Sequence, residues 1–147
     1  MTPEASEYRR PESVLVVVHT DSEALLLYRE APFEFWQSVT GSLLPHESHA
    51  VAAARELREE TGLSDGGHLM CTGVSRLFEI DHRWRNRFGP GVTDNLEYEY
   101  RYKLPGRVEI TLDESEHSAI EWVALADAVD RVWSWTNKAA LRDLLVL

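Results

Sequence analysis

The stretch GSLLPHESHAVAAARELREETGL, residues 41–63, decides how the chain folds. From Ser48 to Thr61 it is rich in Ala, Glu, Arg and Leu, all strong helix formers. Ser48 suits an N-cap and Gly62 a left-handed C-cap, so a helix is expected over 48–61. Ala50, Ala53, Ala54 and Leu57 fall on one apolar arc, expected to face a sheet. Glu56, Glu59 and Glu60, spaced i, i+3 and i+4, fall on a neighbouring arc about 100° wide. Carboxylates so close repel one another. Hard divalent cations, which prefer oxygen ligands, give such a cluster a purpose. A solvated face balanced by Arg55 and Arg58 is the alternative that residues 55–60 alone leave open.

Working outward, the Val-rich run Ser13–His19 reads as a buried strand. Asp21-Ser22 reads as a turn and Ala24–Tyr28 as a second strand, together a hairpin. Phe33–Gly41 reads as loop, strand and turn. Downstream, Met70–Ile80 reads as a strand region and Asp81–Asn95 as a long loop, a kind of segment that often carries function. Leu96–Leu104 alternates: Leu96, Tyr98, Tyr100, Tyr102 and Leu104 on one side, Glu97, Glu99, Arg101 and Lys103 on the other. That pattern predicts a half-buried antiparallel strand. Ile120–Val123 reads as a short strand, Asp127–Val132 as a short helix and Asn137–Leu145 as a final helix. Met1–Arg10 is polar and reads as a loosely held arm. The order of elements suits a mixed sheet between helices, in one domain.

The 147 residues suffice to close a hydrophobic core, and 44 % apolar with 27 % charged residues marks a globular chain. No apolar run approaches the length of a membrane span, and no secretory signal is visible, so a cytoplasmic location is expected. Cys71 is the single cysteine, which excludes an intrachain disulfide and disfavours a cysteine-based zinc site. His46 and His49 lack further zinc ligands and read as loop polar groups. The net charge of −10 argues against a nucleic-acid partner. It is compatible with a small polyanion, because a bound divalent metal inverts the local electrostatics.

Gly41, Glu47, the run Arg55-Glu56-Leu57, the pair Glu59-Glu60 and Gly62-Leu63 stand at the fixed spacings of the Nudix box. The sequence therefore resembles the Nudix hydrolases. The resemblance implies an α/β/α sandwich with a mixed β-sheet between helices, and metal-dependent hydrolysis of a phosphoanhydride with Mg²⁺ or Mn²⁺. It implies Glu56 and Glu60 as metal ligands and Glu59 as a further ligand or a base that orients water. It implies Arg55 as the residue that holds a carboxylate, with Glu59 or Glu47 as partner. Gly41 would permit a sharp backbone turn beside the metal.

Further blocks resemble one branch of that family, bacterial enzymes that release pyrophosphate from dihydroneopterin triphosphate in folate biosynthesis. These blocks are Tyr8–Pro11, Phe35–Gly41, Phe78–Ile80, Pro90–Thr93, Glu116-His117 and Ser134–Asn137. The branch implies Glu116 as a third metal ligand and a possible base. It implies substrate contacts from Arg9, Arg29, Thr40, the stretch Phe78, Glu79, Ile80 and Asp81, and Ser134. Arginines suit phosphate oxygens, Phe78 or Trp135 a flat ring, and Glu79 the amino-pyrimidinone edge of a pterin. Asp81 and His46 depart from the branch. Phe35, Trp36, Trp133 and Trp135 read more readily as core aromatics than as ring stackers. Arg83, Arg85 and Arg87 alternate, as a phosphate-facing strip or as a solvated loop. The expected partner is thus a small pterin or nucleoside triphosphate, bound by a monomer or weak homo-oligomer with no membrane or nucleic-acid role. A (d)NTP or oxidised-nucleotide diphosphatase of the same family is the second expectation, and a binding module without catalysis the third; the intact set Glu56, Glu59 and Glu60 argues against that module.

Overall fold

The computed structural model describes residues 8–147, so the arm expected at the N-terminus lies, up to Glu7, outside the described residues. Among residues 8–147 the chain forms β1 (Glu12–His19), β2 (Glu23–Arg29), β3 (Phe35–Gln37), β4 (Val39–Ser42), α1 (His49–Thr61), β5 (His68–Glu79), β6 (Asp94–Lys103), β7 (Ala119–Ala124), α2 (Leu125–Arg131) and α3 (Trp135–Leu145). The strands make one mixed sheet whose main path runs β3-β2-β1-β6-β5, with β4 beside β1 and β7 beside β2. β1 is parallel to β6, and every other strand pairing is antiparallel.

Strand alternation builds the two layers. Val14, Val16 and Val18 of β1 point into a core shared with Ala52, Ala53 and Leu57 of α1. Leu15 and Val17 point the other way, into a core with Ala128 and Val129 of α2 and Ala140 and Leu141 of α3. Both faces of the sheet are therefore covered, which is the expected α/β/α arrangement. Each fully buried leucine in these cores contributes about 1.5–3 kcal/mol.

The expected hairpin is open. β1 and β2 pair at its tip, His19 with Ala24. Beyond the tip they splay, and Phe35–Ser42 fills the gap, β3 pairing with β2 and β4 with β1. Ser38 is the joint between these two short strands, and it is fully buried.

α1 is capped as its sequence implies. Ser48 Oγ accepts the Val51 amide at 3.2 Å, and Gly62 sits at φ 77° with its N–H donating to the Arg58 carbonyl. Its buried stripe is Ala52, Ala53, Leu57 and Glu60, whereas Ala50 and Ala54 are exposed. The correction follows from helical spacing: Glu60 lies three and seven residues beyond Leu57 and Ala53, on the sheet-facing side. β6 also departs from expectation. It is parallel to β1 and antiparallel to β5, and Asn95, Glu97 and Glu99 on its second face are buried. A central strand of a covered sheet has no solvent face. His49 opens α1 instead of lying in a loop, its ring stacked on Tyr98 at 4.0 Å and bonded to Tyr100 Oη at 2.6 Å. α3 begins two residues early, at Trp135, because Ser134 Oγ caps it by accepting the Asn137 amide at 3.1 Å.

Candidate active site

A cleft of about 660 Å³ opens where β1, β4, the end of β5, the loop after it and the start of α3 meet. Glu56 and Glu116 line it, and Glu60 is buried next to them. Ligand atoms of Glu60, Glu116 and His117 lie within 4.8 Å of one another. Glu60 is only 1 % exposed, and neither of its carboxylate oxygens has a hydrogen-bond partner. Burial raises its pKa well above the ordinary range, and Glu56 beside it pushes the same way. Burial also raises Glu56, against the pull of Arg55. Gly41 lies within β4 instead of at the sharp turn expected for it, and its missing Cβ leaves the space that the Glu56 carboxyl fills.

Arg55 organises the acids. Its Nε and Nη2 donate to both Glu47 oxygens at 2.8 Å, a bidentate fork, and Nη2 also reaches the Ser42 carbonyl at 3.1 Å. Its Nη1 donates to Glu56 at 2.7 Å and to Glu59 at 3.2 Å. Both partners anticipated for Arg55 are thus engaged, together with Glu56. The three box glutamates part company: Glu60 is enclosed, Glu56 faces the cleft, and the Glu59 side chain is 52 % exposed outside it.

Across the cleft stand Arg9, Arg29 and Arg87. The Arg9 amide donates to the Arg87 carbonyl at 2.7 Å, which clips the N-terminal segment onto the loop. Burial, then Arg87, lowers the Arg9 pKa, while Glu116 raises it. Arg29 is lowered by burial first, then raised by Glu116 and lowered by Arg87. These three guanidinium groups and the carboxylates of Glu56 and Glu116 line one cleft, an arrangement that can hold a polyanion through a cation. Arg83 and Arg85 do not share it: Arg83 grips Asp81 at 2.8 and 3.0 Å, and Arg85 reaches Glu79 at 2.8 Å. Of the alternating arginines, Arg87 alone lines the cleft.

The other anticipated contacts divide. Phe78, Glu79, Ile80, Asp81, Thr40 and Ser134 all line the cleft. Thr40 Oγ1 is spent on the Val14 carbonyl at 2.9 Å, and Ser134 Oγ on the α3 cap. Asp81 is occupied by Arg83, which holds its carboxyl well below the usual range. Phe35 is buried, whereas Trp133 and Trp135 remain largely exposed at the cleft. Phe33, Phe35, Trp84 and Trp133 form one aromatic cluster, with the Arg83 guanidinium 3.6 Å from the Phe33 ring centre.

Several lining groups escaped the sequence reading: Ser13, Gln37, Asn95, Glu97 and Thr136. Each is a buried polar residue on a strand or helix. Gln37 and Thr136 stand in the blocks quoted above without a role, and Glu97 alternates with the tyrosines on what reads as a wet face until the strand is placed at the sheet centre. His117 is also buried. Its Nε2 lies 2.9 Å from Gln37 Nε2, and burial, then Arg29, pushes it down to about 4, so the ring is neutral at pH 7.

Comparison with known proteins agrees with this geometry. The NUDIX domain family matches residues 9–144. The chain is 35 % identical to the dihydroneopterin triphosphate diphosphatase of Escherichia coli (strain K12), over 95 % of each chain. It is 32 % identical to the enzyme of the same name from Haemophilus influenzae, over 95 % of this chain and 90 % of that one. The solved E. coli dihydroneopterin triphosphate pyrophosphohydrolase superimposes with a TM-score of 0.87 at 34 % identity, covering 95 % of this chain and 97 % of that one.

Proposed function

The chain belongs to the NUDIX family, and from that premise we propose that it hydrolyses dihydroneopterin triphosphate to the monophosphate and pyrophosphate, a step of folate biosynthesis. The observation that supports this substrate is the end-to-end likeness to the E. coli enzyme, in sequence and in fold.

The acidic groups fit a divalent cation, because Glu60 presents two buried oxygens that nothing in the described residues satisfies. Glu56, Glu60 and Glu116 would hold Mg²⁺, or Mn²⁺, an ion that when bound neutralises phosphate charge and acidifies water. His117, neutral and within reach, is a fourth candidate ligand. Arg9, Arg29 and Arg87 bind the non-bridging oxygens of the triphosphate and stabilise the charge that gathers on departing pyrophosphate. A carboxylate accepts the proton of the attacking water as its oxygen bonds phosphorus and the phosphoanhydride bond breaks. We assign that base to Glu116, which faces the cleft. Glu59 keeps a supporting role, since it lies outside and is tied to Arg55. Arg55 is a positioning residue, fixing Glu56 through the Glu47 clamp. Thr40 and Ser134 shape the wall by their backbone bonds, and Phe78, Ile80, Asp81 and Glu79 form its rim.

The test is direct. With Mg²⁺ present, pyrophosphate release from dihydroneopterin triphosphate is compared with release from dATP and an oxidised guanine nucleotide. A clear preference for the pterin is expected; preference for an ordinary nucleotide would overturn the substrate assignment and leave a nucleotide diphosphatase.

A further inference from the structure

We propose that Glu97, supported by Asn95 and Ser13, reads the paired N–H donors of the amino-pyrimidinone ring of the substrate. The inference rests on the pterin triphosphate assignment above and adds the residue that selects the ring.

Glu97 lies on β6, lines the cleft and is 6 % exposed. No arginine or lysine forms an ion pair with it among the described residues. The nearest candidate, Arg76, is committed to Glu99 at 2.6 Å and to Asp143 at 2.9 Å. A buried carboxyl without a cation is costly and calls for a ligand that supplies donors. Among the described residues the Glu97 carboxylate takes part in no ion pair, and the Thr136 hydroxyl only partly offsets the effect of burial on it.

Glu97 pairs with Ser13, which alternates with Val14 and so lies on the sheet face covered by α2 and α3, whereas Glu56 comes from α1 on the opposite face. Glu97 therefore stands apart from the α1 carboxylates within the same cleft, where the non-phosphate end of a substrate would lie. Asn95 Nδ2 donates to Ser13 Oγ at 2.8 Å, and Ser13 pairs with Glu97 across β1 and β6. The floor is thus held on the central strands, a rigid support for recognition. Glu79, the residue anticipated for this task, is paired with Arg85 and is mostly exposed.

The chemistry matches. An amino-pyrimidinone ring offers a ring N–H and an exocyclic amine side by side, and a carboxyl group can accept both. Guanine carries the same edge. Adenine offers an amine next to an acceptor nitrogen, which matches an amide instead.

The variant Glu97→Gln tests this with three substrates: dihydroneopterin triphosphate, dGTP and dATP. We expect the ratios of kcat/KM for pterin triphosphate and for dGTP, each relative to dATP, to fall about tenfold to a hundredfold. Equal loss on all three, or no change in either ratio, would overturn the inference, the first showing a merely structural carboxyl. Neopterin binding, followed by its fluorescence, gives a readout free of turnover and should weaken to the same degree. If wild-type protein ignores the pterin triphosphate but Glu97→Gln still lowers the dGTP to dATP ratio, the substrate assignment falls and the role of Glu97 stands.

Discussion

Asn137 holds Ser38 from two sides: its Oδ1 accepts the Ser38 amide at 2.8 Å, and its Nδ2 donates to Ser38 Oγ at 2.9 Å. Both residues are buried, and the bonds tie α3 to the joint between β3 and β4. Gln37 on one side of that joint touches His117, and Gly41 on the other carries the Glu56 carboxyl against it. Replacing Asn137 by Ala leaves a buried N–H and hydroxyl unmatched. The expected cost is about 2–4 kcal/mol, read as a lower urea midpoint. Asn137→Asp, which keeps the acceptor, should lose less.

Glu47 is held below its ordinary pKa chiefly by the hydrogen bonds of Arg55. A depressed carboxylate stabilises the fold above its unfolded pKa and loses that contribution as pH falls through the folded value. Glu47→Gln should therefore cost about 1–2 kcal/mol at neutral pH and progressively less in acid. Urea unfolding of both proteins across that range checks it. A loss independent of pH would refute the ionic origin.

Metal binding should be visible without catalysis. At Mg²⁺ about a hundredfold above Kd, stabilisation is about 2.7 kcal/mol, or roughly 5–10 °C in Tm for a domain of this size. Glu60→Gln should remove most of that shift, because it deletes one of the two buried oxygens left unmatched. Thermal scans with Mg²⁺ and with a chelator supply the comparison.

Arg87 distinguishes the two readings of the arginine loop, phosphate-facing or solvated. Arg87→Gln should raise KM for a triphosphate about tenfold or more, while Arg83→Gln, at a residue already gripping Asp81 outside the cleft lining, should change KM little. Steady-state kinetics of the two variants side by side give the answer.

Burial pushes Glu97 up to about 7, partly offset by Thr136 and Arg76. A carboxyl raised above its ordinary 4.5 favours the folded state while protonated, so its cost grows as pH rises from 4.5 to 7 and is complete above that. Glu97→Gln should then stabilise the protein by up to about 3 kcal/mol in mild alkali and hardly at all near the ordinary glutamate pKa. A gain in stability joined to a loss of selectivity is the signature of a group kept for recognition.

Much of this was legible in the sequence because it is local. The caps of α1 follow from spacing along one helix and the Arg55 clamp from the box resemblance, whereas the separate acidic arc did not hold, because Glu60 joins the buried stripe. Glu97 was not legible, because its burial depends on β6 lying parallel to β1 at the sheet centre, a long-range pairing that alternation cannot report. The opening of the β1–β2 hairpin was hidden for the same reason: it is set by a segment inserted from outside the hairpin. Glu59 and Glu60 are sequence neighbours with opposite exposures, since one residue turns a helix by about 100°.

The clip between the Arg9 amide and the Arg87 carbonyl has a practical consequence for handling the protein. It brings Arg9, eight residues after Met1, to the lining of the cleft. Removing residues up to and including Arg9 would take a guanidinium from the cleft along with the clip, so a chain shortened there is poor material for kinetics. Val146 and Leu147 at the other end are more than four-fifths exposed and line no part of the cleft, so kinetic work belongs with a C-terminal tag.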